Sequence, residues 1–286
     1  MADWKRKQAS EHMEEVEKDG VVWLEFPALK RTGLVRHAFS TRMGGVSKGP
    51  YATMNFSFTR GDDPDCVREN YRRMAAALGV DEARMVLTWQ THTVNVRTVQ
   101  AEDVGKGTVK ERDYRDVDGL ITDMPGVTLV TFFADCVPLY FLDQKRRAIG
   151  LAHSGWRGTV KRMGREVLAA MNREFGTEPE DVLACIGPSI CQDCYEVSGD
   201  VIEAFEAEFR REELPRLFYR KENGKYQLDL WEANRIVLTD AGVPAGQISV
   251  TDICTHCNPD LLFSHRTSPD KRGNLCAFLC LNEKQD

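Results

Sequence analysis

Three apolar runs that follow one another closely constrain the fold of this chain more than any other feature. They cover residues 127–133, 139–142 and 148–152, and each is almost continuously hydrophobic. A strand with one solvated face alternates apolar and polar residues, whereas continuous runs of this length indicate strands buried on both faces. The chain must therefore build a sheet whose two faces are both covered by other elements.

Other segments are predicted to form the strands and helices that pack on this sheet. Residues 21–26 and 34–39 have strand composition, and so do the segments on either side of His92. Asp63 and Pro64 predict the start of a helix that ends at Gly79, and a second helix is expected over residues 159–175. We expect residues 21–286 to form one α+β domain, with mixed β-sheets in a sandwich covered by helices. Residues 1–20 are polar and are predicted to form a tail or a frayed helix.

Composition limits the classes of function. The 286 residues carry a net charge of −6, which does not favour a nucleic-acid surface, so a small anionic substrate would need a local positive pocket. No apolar stretch reaches the roughly 18 residues of a transmembrane helix, so no membrane association is expected. The first residues lack the apolar core of a secretory signal, and the nine cysteines are best interpreted as reduced thiols or metal ligands. These features predict a cytoplasmic protein.

One cysteine and two histidines stand out as candidates for chemistry. Cys136 and His153 each lie at the end of an apolar run, and His92 lies upstream between two strand-like segments. Two imidazoles and a thiolate form a transition-metal site that leaves one position for water or substrate. Without a metal, the same Cys136 and His153 would be a nucleophile and its base. The residues alone leave both interpretations open.

Two glycine-containing loops are candidates for binding an anion. Arg157 lies in the segment 154–159, where two glycines allow close approach and a following helix offers free N–H groups. Arg42 lies in the segment 40–47 beside a Gly-Gly pair, which lacks the Gly-Lys-Ser/Thr ending of a Walker P-loop. Gln90 and Asp135 flank the candidate ligands and are predicted to orient them.

The chain also contains two C-x₂-C pairs, Cys191 with Cys194 and Cys254 with Cys257. Zinc ribbons usually separate such pairs by about 15–20 residues, and the separation here is far longer. Sequence spacing therefore does not favour a second zinc site at these cysteines.

Several of these segments together resemble a known family. The motifs are residues 39–47, Gln90 with His92, residues 134–136, residues 153–157, residues 186–190 with 194–197, and residues 252–254 with 263–266. In this order they are similar to the laccase-domain, or multicopper polyphenol oxidase, family over residues 21–282. His265 stands where the family usually has tyrosine, and Thr93 stands where many members have glycine.

The resemblance implies a specific activity. Members are understood as purine nucleoside phosphorylases that cleave adenosine, inosine, guanosine and S-methyl-5′-thioadenosine with phosphate and also deaminate adenosine. It implies zinc bound by His92, Cys136 and His153, and a fold shared with a bacterial toxin deamidase. Purine nucleosides and phosphate are then the partners, bound by a monomer or small homo-oligomer. Arg42 and Arg157, with Gln90 and Asp135, are the predicted substrate- and phosphate-binding residues.

The older laccase activity conflicts with the histidine count. Six histidines are too few for the several copper sites of a multicopper oxidase, so copper in a His₂Cys site would be adventitious. Two alternatives to a phosphorylase stay open. One is a cysteine hydrolase using Cys136 and His153, and the other is a factor that edits peptidoglycan precursors, as some bacterial relatives are described.

Overall fold

Two six-stranded sheets form the centre of the chain in a computed structural model that describes residues 2–8 and 10–283. Its strands are β1 Glu14–Lys18, β2 Val21–Glu25, β3 Val35–Ser40, β4 Met85–Leu87, β5 Val96–Thr98, β6 Gly119–Thr122, β7 Thr128–Phe133, β8 Val137–Asp143, β9 Ala148–Ser154, β10 Val182–Ile186, β11 Glu196–Val197, β12 Phe218–Arg220, β13 Tyr226–Leu228, β14 Ile248–Val250 and β15 Leu275–Leu281. Its helices are α1 Pro27–Arg31, α2 Pro64–Leu78, α3 Trp156–Val160, α4 Met163–Phe175, α5 Gly199–Glu208, α6 Leu214–Leu217 and α7 Leu230–Asp240.

Both large sheets are mixed. The first has the order β1-β2-β3-β15-β7-β4, and the second has the order β14-β10-β8-β9-β6-β5. Most neighbours are antiparallel, but β4 with β7, β5 with β6 and β10 with β14 run parallel. A small third sheet joins β11, β13 and β12.

The core has three parts that define the layers. One hydrophobic cluster joins side chains of both large sheets, among them Leu129, Leu151 and Leu279. A second packs α2 on the outer face of the first sheet through Tyr71 and Phe278. A third covers the outer face of the second sheet with α4, α5 and α7. The predicted α+β sandwich with helices over its sheets is therefore confirmed.

Two expectations about elements need correction. Residues 14–18, expected in a polar tail or helix, form β1, which pairs with β2 after the left-handed turn at Asp19 and Gly20. The helix expected over residues 159–175 is broken at Arg162, whose φ is 61°. Glu208 and Asp240 bind the Arg162 guanidinium at 2.9 Å each. These partners, which are far from Arg162 in sequence, stabilise the break in the helix. Residues 1, 9 and 284–286 of the expected segments lie outside the described residues.

Most of the apolar runs form the strands that the sequence predicted. β7, β8 and β9 are buried almost throughout, as continuous apolarity requires. Asp63 caps α2 by accepting from the N–H of Asp65, and Gly79 ends the helix with φ 74°. In the described part of the chain, no helix combines the length and apolarity needed to cross a membrane.

Candidate metal centre and active site

The three candidate ligands meet at one end of the sandwich, because the chain crosses between its two sheets there. Cys136 lies between β7 of the first sheet and β8 of the second, and His92 lies between β4 and β5, which also belong to different sheets. His153 is on β9, where it pairs with Pro138 of β8. These crossings from one sheet to the other bring together residues that are far apart in sequence.

The ligand atoms of His92, Cys136 and His153 lie within 4.8 Å of one another. The two imidazole rings meet edge to face with centroids 5.0 Å apart. His153 is buried, Cys136 is partly exposed and His92 is exposed. The group is therefore held from the protein side and open on the side of His92.

Asp118, immediately before β6, fixes both histidines. One carboxylate oxygen contacts His153 Nδ1 at 2.8 Å, which leaves Nε2 to face Cys136. The backbone N–H groups of Thr91, His92 and Thr93 all donate to the same carboxylate at 3.0–3.1 Å. A carboxylate behind a histidine orients the ring and raises its basicity as a ligand. Sequence reasoning missed Asp118, although a charged residue beside a buried strand was a usable signal.

Two further backbone features shape the centre. His92 has φ 64°, a left-handed conformation that non-glycine residues rarely adopt, and the three bonds to Asp118 stabilise it. Gly155 approaches so closely that a Cβ there would lie 3.0 Å from Cys136 Sγ and 3.1 Å from His92 Cδ2. Glycine is needed at 155 because the ligands occupy the space of a side chain.

The electrostatics of the centre favour a thiolate. Burial raises the pKa of Cys136, but the charge of His153 and hydrogen bonds with both histidines outweigh it and bring that pKa to about 6. Burial lowers the pKa of His153, yet the Cys136 thiolate and the Asp118 carboxylate raise it to about 9. A thiolate and two imidazoles within this spacing suit zinc, which binds sulfur and nitrogen donors and keeps an open position in catalytic sites.

A cavity of about 630 Å³ opens on the three ligands. Among the described residues that line it, there are three arginines and no carboxylate, and the walls also carry aromatic rings. The aromatic lining residues are Phe58, Trp89, Phe132 and Phe133; the arginines are Arg60, Arg112 and Arg272; His265 also lines it. The size fits a nucleoside-sized ligand, and the charge fits an anion.

Arg272 is the most distinctive of these cations. It is buried, and its Nε has no hydrogen-bond partner among the described residues. Burial and the neighbouring charge of Arg60 lower the pKa of Arg272 to about 10. Two guanidinium groups that repel each other beside a cavity create a site that a bound anion would stabilise. Its sequence neighbours gave no signal for this role.

The other predicted site residues take different positions. Gln90 lines the cavity, but its amide bonds the backbone N–H and C=O of Phe132 at 2.7 and 2.9 Å, so it joins the His92 loop to β7. Asp135 has φ 90° and accepts bonds from Thr255 Oγ1, Ser264 Oγ and the Arg266 N–H at 2.6–3.0 Å. Both side chains are therefore occupied in holding the backbone beside the ligands.

The two arginines expected to bind phosphate lie outside the cavity. Arg42 donates to the carbonyls of Ala52 and Pro259 at 2.9 and 2.6 Å and lines a smaller cavity of about 130 Å³, which shares Arg272. Arg157 is exposed, with its guanidinium 4.3 Å from the Trp156 ring centroid. Neither arginine therefore lines the cavity of the ligand trio, and only Arg42 shares a cavity with one of its arginines, Arg272.

Comparisons with known proteins identify the family of this chain. Residues 36–282 match the model of the family described as multi-copper polyphenol oxidoreductase laccase, which confirms the resemblance found in the sequence. A purine nucleoside phosphorylase from Bacteroides thetaiotaomicron is 37% identical over 91% of this chain and 96% of its own length. A protein from an unknown prokaryotic organism, named adenosine deaminase RL5, is 36% identical over 80% of this chain and 87% of its own. The crystal structure of YlmD from Geobacillus stearothermophilus superposes with a TM-score of 0.87, at 34% identity, covering 96% of this chain and all of that one.

Proposed function

This chain belongs to the multi-copper polyphenol oxidoreductase laccase family, and we propose that it is a zinc-containing purine nucleoside phosphorylase. Its substrates would be adenosine, inosine, guanosine and S-methyl-5′-thioadenosine, and adenosine deamination would be a second activity. The observation that carries the proposal is a three-ligand centre opening into a cavity with three arginines and aromatic walls. Relatives named purine nucleoside phosphorylase and adenosine deaminase support the same class of substrate. A cytoplasmic location is part of the proposal.

His92, Cys136 and His153 would hold the zinc ion, with Asp118 behind His153. Bound there, zinc would supply Lewis acidity to a substrate oxygen atom. Phosphorolysis transfers the sugar from a purine nitrogen to a phosphate oxygen, so the site must hold an anion beside the glycosidic bond. Arg60, Arg112 and Arg272 would bind that phosphate, and the aromatic walls would hold the base and exclude water.

The described residues do not provide enough histidine ligands for a multicopper oxidase mechanism. Two groups of at least three metal-ligating side chains occur within residues 2–8 and 10–283, and one of them contains no histidine. His37 is buried and accepts a bond from the Phe26 N–H, while His256 contacts Thr267, and neither belongs to either group. A single His₂Cys centre cannot provide the separate copper sites of a laccase.

A cysteine hydrolase, on a fold shared with a toxin deamidase, is the second candidate. The low pKa of Cys136 beside the raised pKa of His153 describes a thiolate–imidazolium pair, which is the form of an activated nucleophile. As a zinc ligand the same thiolate would be protected from alkylation. Rapid alkylation of Cys136 in protein saturated with zinc would favour the hydrolase.

The decisive experiment incubates the purified chain with a nucleoside panel, with and without phosphate, and identifies the products by chromatography. The proposal expects free base and sugar phosphate only when phosphate is present, and inosine from adenosine in either condition. Unchanged nucleosides under both conditions, with zinc bound, would refute it.

A further inference from the structure

The two C-x₂-C pairs, which the sequence spacing did not connect, form one cluster in the structure. The sulfur atoms of Cys191, Cys194, Cys254 and Cys257 all lie within 4.8 Å of one another. The pairs meet because each follows the carboxyl end of a strand, and those strands, β10 and β14, are parallel neighbours. An isolated bridge between Ser189 and Cys254 continues that pairing into the cluster. The long separation of the two pairs in sequence therefore does not mean that they are far apart in space.

We propose that these four cysteines bind a structural zinc ion, separate from the centre at His92, Cys136 and His153. Tetrahedral zinc has Zn–S distances of about 2.3 Å, which sets its sulfur atoms about 3.8 Å apart. Cys194 Sγ and Cys257 Sγ are 3.5 Å apart, close to that value and too far for the roughly 2.05 Å of a disulfide. All four cysteines are free thiols in the structure.

The backbone around the cluster also suits thiolate ligands. The N–H of Cys191 donates to Cys254 Sγ at 3.3 Å, and the N–H groups of Cys194 and Cys257 lie by the first sulfur of their own pair. Such N–H donors stabilise negative charge on sulfur. The Lys7 ammonium, which binds Asp193 at 3.1 Å, adds a positive charge nearby. Cys191 and Cys254 are buried while Cys194 and Cys257 are partly exposed, so an ion has an entry path.

The ion would stabilise the frame of the active site. Thr255 lies between the two cysteines of the second pair, and its Oγ1 donates to Asp135 at 2.6 Å, directly before Cys136. The Thr255 N–H also donates to the Ser189 carbonyl at 3.1 Å, which ties the two cysteine segments together. Four ligands fill a tetrahedral zinc, so this site has no position for substrate and its role is structural.

The test measures zinc per chain by elemental analysis in the full-length protein and four variants. Wild-type and Cys66→Ser, a matched change at a cysteine outside both groups, should each contain about two zinc ions per chain. Cys136→Ala and Cys257→Ser should each contain about one, and the double variant should contain close to none. Zinc in Cys257→Ser equal to wild type, iron in place of zinc, or a Cys194–Cys257 disulfide in peptide maps would overturn the proposal.

A second measurement keeps the test decisive if Cys257→Ser does not fold. Cys136→Ala retains the whole cluster and lacks one ligand of the other centre, so cobalt added after zinc removal reports on the cluster. Tetrahedral thiolate coordination gives intense sulfur-to-cobalt charge-transfer bands and strong visible d–d bands. Their absence in folded Cys136→Ala would also overturn the proposal.

Discussion

The His92–Cys136–His153 centre and the four-cysteine cluster both contain potential metal ligands, but they differ in the number of ligands and in their access to a cavity. Both lie where strands of the second sheet end, and both gather ligands from distant segments. The first has three ligands, an exposed histidine and a cavity of about 630 Å³ with three arginines. The second has four sulfur atoms, and no residue of the cluster lines that cavity. An incomplete ligand set beside a charged cavity is typical of catalysis, and a complete set is typical of structure.

Loss of the proposed catalytic centre gives the largest expected effect. Cys136→Ala removes the thiolate ligand, so phosphate-dependent cleavage should fall by about three orders of magnitude, since a catalytic metal supplies several kcal/mol. The melting temperature should fall less than in a variant of the four-cysteine cluster, because only three residues would hold this ion and one of them is exposed. Steady-state kinetics and calorimetry on the same preparations measure both quantities. Wild-type turnover in this variant would refute a metal-centred reaction.

The four-cysteine cluster should respond in the opposite way. Cys257→Ser should lower the free energy of unfolding by about 3 kcal/mol, because metal binding is coupled to folding there. For a chain of this size that corresponds to roughly 5 °C in melting temperature. Activity per folded molecule should be largely retained well below the transition. A variant as stable as Cys66→Ser would remove the distinction between the two regions.

The same comparison explains what the sequence could predict. Cys136, His153 and His92 were recognisable because each lies beside an apolar run that specifies its position in the fold. The four-cysteine cluster was not, because a ribbon-type spacing rule assumes that nearby ligands come from nearby sequence. Here parallel strands β10 and β14 supply the proximity, and single-sequence patterns do not specify which strands pair.

Residues that act through long-range contacts were missed for the same reason. Asp118 became identifiable only when the fold placed it against His153 and the N–H groups of the His92 loop. Arg60, Arg112 and Arg272 come from three separate loops and converge on one cavity. Glycine beside arginine drew attention to Arg42 instead, whose donors are used by backbone carbonyls. Local motifs identified the candidate ligands, and the tertiary structure was needed to identify the residues that hold them in place.

Asp118→Asn tests how far the first centre depends on its carboxylate. The change keeps the shape but removes the charge that orients His153, so zinc affinity and activity should each fall about 10- to 100-fold. Competition with a chelator gives the affinity. Asp103→Asn is the matched control, because Asp103 is equally buried but bonded to Arg97 and Lys106 away from the ligands. Equal losses of zinc affinity in both variants would refute a specific role for Asp118.

Buried His37 predicts a pH dependence of folding stability that arises in the core. It accepts a bond from the Phe26 N–H and has no carboxylate partner among the described residues, so burial lowers its pKa from 6.5 to about 3. Between those values the unfolded chain binds more protons than the folded one, so stability falls as pH decreases. From pH 7 to pH 5 this should cost about 2 kcal/mol. His37→Gln keeps an acceptor but does not titrate, so it should lack this pH-dependent loss when the free energy of unfolding is measured by denaturant titration at each pH. The same change in unfolding free energy with pH in wild type and His37→Gln would refute the assignment.

Arg272→Met gives the smallest expected effect and decides between two anion sites. Loss of one charge-assisted hydrogen-bonding group in the cavity should raise the KM for phosphate about tenfold, with a smaller change in the KM for the nucleoside. Stability should fall slightly, because Nη1 of Arg272 gives up its bonds to the Gly273 carbonyl and Asn274 Oδ1, whereas the unpaired Nε leaves no described partner behind. Arg42→Met should also lower stability, since two backbone carbonyls lose their donor, but it should leave the KM for phosphate unchanged. If Arg42→Met raised the phosphate KM and Arg272→Met did not, phosphate would bind at the glycine-rich segment 40–47, and the cavity arginines would need another ligand.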